Sequence, residues 1–74
     1  MPDNTLDCKK LNCPMPIVKI SKTIRDMQSG QTLAVEATDP AFKADVQAWS
    51  NKTGHVILEF RENEEVLTTV IQKA

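Results

Sequence analysis

Tyrosine is absent from this 74-residue chain, and one Trp and two Phe complete its aromatic content. That supply is too small for the base-stacking platforms that single-strand nucleic-acid binders use. No stretch approaches the roughly 20 apolar residues needed to span a bilayer, because Lys, Glu or Thr interrupts every aliphatic run. With only 2 Gly and 4 Pro the chain is not a collagen, a linker or a disordered tail. Neither sign of charge dominates: nine basic against ten acidic residues give a net charge of −1, which argues against a general nucleic-acid surface. The two cysteines, Cys8 and Cys13, lie five positions apart and would close only a tiny loop. No cleavable apolar leader is evident, so a reduced, cytoplasmic protein is expected.

What is present fits one small domain covering residues 1–74. A short strand is expected over Thr5–Lys9, with Leu6 and Cys8 on one face. Pro14 and Pro16 are tolerated only in the first turn of a helix, so a helix should begin at or beside Cys13. Ile17, Ile20, Ile24 and Met27 form its apolar stripe, and Gly30 is a natural stop. Residues 31–38 alternate as a strand with Leu33, Val35 and Ala37 inward. Asp39 and Pro40 read as N-cap and first residue of a second helix. Phe42, Val46 and Trp49 stripe that helix, Ala41, Ala44 and Ala48 fill around them, and Gly54 ends it. Residues 55–62 and 65–72 then form a hairpin through Asn63. In the first of these strands Val56, Leu58 and Phe60 oppose Ile57, Glu59 and Arg61. In the last, both Val66-Thr68-Val70 and Leu67-Thr69-Ile71 qualify as the inward set. The order β-α-β-α-β-β implies a two-layer α/β sandwich, a mixed four-stranded sheet with both helices on one face. The other face, with residues such as Ile57 or Leu67 on it, would be open to a protein partner.

Chemistry concentrates on Cys13. A thiol at a helix N-terminus meets unpaired amide hydrogens and the positive end of the helix dipole, which favour the thiolate. Lys9 and Lys10 add positive potential, and Pro14 and Pro16 hold the first turn rigid. No pattern supplies a dedicated base, metal site or cofactor cradle, so the sequence describes a presented nucleophile whose reaction partner is another protein. Cys8, at an apolar strand position, reads first as a small buried hydrophobe. A structural zinc site is not expected, since Cys8, Cys13 and the distant His55 fall short of four ligands.

The segment Leu11-Asn12-Cys13-Pro14-Met15-Pro16 resembles the Cys-Pro-x-Pro motif of the TusA (SirA/YedF/YeeD) family of sulfur carrier proteins. The likeness covers nearly the whole chain: Leu6-Asp7 in the opening strand, Gly30 after the first helix, Asp39-Pro40 before the second, Asp45 and Trp49 within it, and Gly54 at its end. The resemblance implies that Cys13 accepts sulfane sulfur as a persulfide and passes it on, without a cofactor. Cysteine desulfurases or rhodanese-type sulfurtransferases would be donors and DsrE-type proteins acceptors, in tRNA thiolation, cofactor sulfuration or sulfur oxidation. Two positions depart from the family pattern. Lys10 stands where Gly is common, and Cys8 is a second thiol where many members have one, open to roles as a core residue, a resolving thiol or a second sulfur site.

Two rival functions follow from the same residues. A Cys8–Cys13 pair would make a thiol redox or regulatory protein. The element order also occurs in an RNA-binding domain of a translation initiation factor, against which stand the scarce aromatics and the acidity of residues 31–74. Charge is divided unevenly, +2 over residues 1–30 and −3 over residues 31–74. Lys19, Lys22 and Arg25, on the solvent side of the first helix, would form with Lys9 and Lys10 a docking patch for an acidic partner. Met15, between the prolines, is an adaptable apolar contact beside the thiol.

Overall fold

Six elements follow one another in the expected order: β1 (Asn4–Cys8), α1 (Met15–Arg25), β2 (Thr32–Ala37), α2 (Phe42–Thr53), β3 (Val56–Asn63) and β4 (Val66–Gln72). They come from a computed structural model that describes residues 2–74. The strands form one mixed sheet in the order β1-β2-β4-β3, with β1 parallel to β2 and the other two pairs antiparallel. Ile20 and Ile24 of α1 and Phe42 and Val46 of α2 share one core with Cys8, Leu33, Val35, Ala37, Leu67 and Ile71 of the strands. Both helices therefore cover the same face, and the domain is the two-layer α+β sandwich that the sequence implies. Burying each of these aliphatic or aromatic side chains is worth about 1.5–3 kcal/mol, and these clustered side chains provide the cohesion, both cysteines being free.

The sheet register decides where a site can lie. Cys8 pairs with Ala37, Ala37 with Leu67 and Leu67 with Glu62, so β1 and β2 end at the edge where the β3–β4 hairpin turns. Both helices leave from that edge. The Cys13 segment, the β2–α2 connection and the hairpin consequently meet at one end of the molecule.

Element ends differ from the sequence reading for identifiable reasons. α1 stops at Arg25 rather than near Gly30. The Lys73 ammonium donates to the carbonyls of Arg25 and Met27 and so caps the helix end from outside. Gly30, at φ +89°, serves the turn into β2 instead, where its amide donates to the Lys73 carbonyl. Met27 still reaches the core. α2 starts at Phe42, because Asp39, Pro40 and Ala41 form a turn closed by the Phe42 amide on the Asp39 carbonyl. Ala41, Ala44 and Ala48, expected as fillers, are exposed. Gly54 ends α2 in the left-handed region, φ +87°, and donates to the Ser50 carbonyl.

The hairpin carries the largest correction. A register shift between Ile57 and Glu59 bulges β3, so Ile57 and Phe60 both face the core while Val56 and Leu58 are exposed. Simple alternation put Ile57 opposite Phe60. Leu67, Thr69 and Ile71 are the inward set of β4. The bulge explains why a threonine is accepted there, since the buried Thr69 hydroxyl donates to the Glu59 carbonyl at 2.7 Å. Ile57 and Leu67 thus belong to the core, and the open face carries Ala34, Val66 and Val70 with polar neighbours. The turn itself is Glu64-Glu65, with Asn63 paired to Val66 as the last residue of β3.

Candidate functional site

The segment after β1 is fixed to the neighbouring connection by side chains that accept its amides. Leu11 donates to the Cys8 carbonyl, closing a tight turn at the strand end. Lys10 donates from its amide to the Thr38 hydroxyl at 2.9 Å, and Cys13 donates from its amide to Asp39 Oδ2 at 2.7 Å. The other Asp39 oxygen accepts the Ala41 amide. One carboxylate therefore holds the Cys13 loop and the entry to α2 together. Leu11 packs on the core and Pro16 is buried, whereas Cys13, Pro14 and Met15 are exposed. The Cys13–Pro14 peptide is cis. Cys13 is thus a free, outward-facing thiol on an anchored loop, immediately before the N-cap residue of α1.

The electrostatics reverse the expectation of a stabilised thiolate. The Cys13 thiol is pushed up from its ordinary value, first by a hydrogen bond to Asp45, then by desolvation and by the charges of Asp45 and Asp39. The sulfur and the two carboxylates have atoms mutually within 4.8 Å. On distance alone the trio would suit a metal ion, but both Asp39 oxygens already accept backbone amides. Asp39 entered the sequence reading only as a helix cap and Asp45 only as a polar position of α2. The tertiary contact between two connections, which brings them to Cys13, leaves no local pattern.

The remaining candidates fall into three groups. Cys8 is fully buried on the core face of β1, and burial raises its thiol, partly opposed by Lys19. Lys9 lies 3.7 Å from Glu36 in an exposed ion pair, and Lys10 adopts φ +69°. Met15 is 46% exposed, and Val18, one turn further along α1, is 37% exposed. Sequence reasoning misses Val18, although like Met15 it is an apolar residue of α1 off the inward stripe. Lys19, Lys22 and Arg25 are exposed as expected. His55 lies at the opposite end of the sheet, stacked on Trp49 with its Nδ1 accepting the Ala74 amide. It is remote from both thiols.

The family model described as Sulfurtransferase TusA matches residues 4–73. The chain belongs to the TusA family. It is similar to the Bacillus subtilis protein YrkI, 46% identical over 71 residues that make up 96% of this chain and 95% of that one. It is also 40% identical over 72 residues to the sulfur carrier protein TusA of Allochromatium vinosum, covering 97% of this chain and 95% of the relative. A solved structure of a SirA-like protein from Desulfitobacterium hafniense has the same fold, with a TM-score of 0.81 at 18% identity, over 93% of this chain and 95% of that one. The left-handed Lys10 explains why the TusA pattern commonly has Gly there: a residue without Cβ adopts that conformation without steric cost. Among the described residues no helix is long and apolar enough to cross a membrane.

Proposed function

We propose that the protein is a sulfur carrier and that Cys13 is its carrier atom, accepting sulfane sulfur as a persulfide and handing it to a second protein. The observation that carries this reading is the exposed, free Cys13 on a loop anchored by Asp39 at the start of α1, within a chain of the TusA family. Exchange at sulfur asks for a reachable thiolate and a partner, not for an enclosing pocket. In loading, the Cys13 thiolate attacks the outer sulfur of a persulfide on the donor. The S–S bond of the donor breaks, its electron pair leaves on the donor cysteine, and Cys13 keeps the extra sulfur. Delivery repeats the exchange with an acceptor thiolate as the attacking group.

Pro14 and Pro16 restrict the loop that presents the sulfur, and Met15 with Val18 offers an apolar contact beside it. Lys19, Lys22 and Arg25 along α1, with Lys10 on the loop, offer basic charge to an acidic partner surface, while Lys9 is engaged by Glu36. The donor class is a cysteine desulfurase or rhodanese-type protein, the acceptor class a DsrE-type or other thiol protein, and the setting cytoplasmic. Complete burial of Cys8 supports a core role for it rather than a resolving one.

The test is to incubate the reduced protein with cysteine plus a desulfurase, or thiosulfate plus a rhodanese, and weigh the intact chain. One added sulfur, removed by reductant and missing in Cys13→Ser, is expected. No adduct with any donor, or an adduct that persists in Cys13→Ser, overturns the assignment.

A further inference from the structure

Several of the amide donors that usually surround a helix N-terminus are absent or engaged around Cys13. Pro14 and Pro16 have no N–H. The Met15 amide donates to the Asn12 carbonyl at 2.9 Å, and the Val18 amide to that of Pro14 at 3.1 Å. Cys13's own amide is held by Asp39. The sulfur faces two carboxylates instead, and these differ in kind. Asp39 is a structural acceptor with both oxygens engaged by backbone amides. Asp45, half-buried in the first turn of α2, belongs to none of the ion pairs found among the described residues.

We propose that Asp45 is a positioning residue that holds the proton of the unloaded Cys13 thiol, accepting its S–H hydrogen bond and keeping the sulfur neutral until a cationic group of the docked partner compensates the carboxylate. This rests on Cys13 being the sulfur-bearing nucleophile. The groups that face the thiol are Asp45 from α2 and Asp39 from the β2–α2 connection. On its own segment are Lys9, paired with Glu36, and Lys10, whose left-handed backbone precedes the loop. When a partner cation neutralises Asp45, the proton passes to water and the lone pair left on Sγ forms the new S–S bond as the donor's own S–S bond breaks and its electron pair leaves on the donor cysteine. A carrier built this way stays inert toward oxidants and stray electrophiles between partners. It becomes nucleophilic where sulfur is available.

Iodoacetamide alkylation, followed across pH with the modified cysteine located by peptide mass, tests the proposal without any sulfur donor. In the native protein the midpoint for Cys13 should lie above that of the same thiol in urea, and Asp45→Asn should move it down. Each tenfold gain in thiolate returns only about threefold in rate, because nucleophilicity falls with basicity. A rise in rate at neutral pH, smaller than the gain in thiolate, is therefore expected for the variant. Superimposable pH profiles for wild type and Asp45→Asn would overturn the proposal. So would a native midpoint at or below the urea value, a measurement that needs no variant to fold. Sulfur uptake by the wild type is scored separately. A chain that takes up no sulfur yet shifts its profile in Asp45→Asn defeats the carrier reading alone, and one that loads normally with an unshifted profile defeats only the role of Asp45.

Discussion

Cys8 and Cys13 are five residues apart and occupy opposite environments, one sealed under α1 and the other facing solvent. The apolar strand position of Cys8 was legible because alternation with Asp7 and Lys9 sets its face. The exposure of Cys13 was legible from the two prolines that follow it. Its protonation was not, because that depends on Asp39 and Asp45, which lie 26 and 32 positions away in sequence and arrive only when α2 docks. Burial raises the Cys8 thiol, so the sign of its pH effect is fixed. The neutral form is favoured in the fold, stability is fully present below the ordinary thiol value of 9.0, and it falls as pH rises beyond that. Urea unfolding above pH 9.0 should show this decline in the wild type and a weaker one in Cys8→Ala. At neutral pH Cys8→Ser should lose about 1–3 kcal/mol, since it buries a hydroxyl with no arranged partner. An unchanged urea midpoint would show that the residue is not the sealed core position described.

At the scale of elements, the helices were read from their stripes, but their ends were not. α1 ends where Lys73 reaches its carbonyls, and α2 begins after a turn that leaves Asp39 free to hold the Cys13 amide. The bulge in β3 was invisible because a one-residue slip preserves composition while changing the face. Only the Thr69 hydroxyl on the Glu59 carbonyl shows why the slipped register is the satisfied one. The loop before Cys13 carries a measurable cost at Lys10, whose φ of +69° puts a side chain in the left-handed region. That conformation costs a residue with Cβ about 1–2 kcal/mol, part of which the greater freedom of glycine in the unfolded chain takes back. Lys10→Gly should therefore raise stability by up to about 1 kcal/mol in urea unfolding. Destabilisation by that substitution would mean that the loop does not have this backbone. Sulfur loading should be retained in the variant at high salt, where the lost docking charge is screened, because the Lys10 amide that bonds Thr38 remains.

For the molecule as a whole, the division of charge along the sequence does not match its division in space. The +2 half contains Cys13, yet Asp39, Asp45 and the Glu62–Glu65 hairpin come from the −3 half and gather at the same end as the thiol. A cleft of about 490 Å³ there lies between Lys43 and Pro40 on one side and Glu62, Glu64 and Glu65 on the other. The basic side chains Lys19, Lys22 and Arg25 lie exposed along α1. A partner that docks on this end meets both signs, so orientation is set by charge as well as by Met15 and Val18. Replacing Lys19 and Lys22 by Gln should slow sulfur transfer at low salt, with the difference shrinking as salt screens both forms. Equal rates at low salt would remove the basic face from the docking surface.

The claim that Cys13 bears the sulfur can be tested on the loaded wild-type chain itself. Trypsin cuts after Lys9 and Lys10 and so separates Cys8, in the peptide of residues 1–9, from Cys13, in that of residues 11–19. After loading from a desulfurase or rhodanese, trapping with an alkylating reagent and digestion, mass spectrometry should find the extra sulfur on the 11–19 peptide. An extra sulfur on the 1–9 peptide, or on neither, would contradict the account.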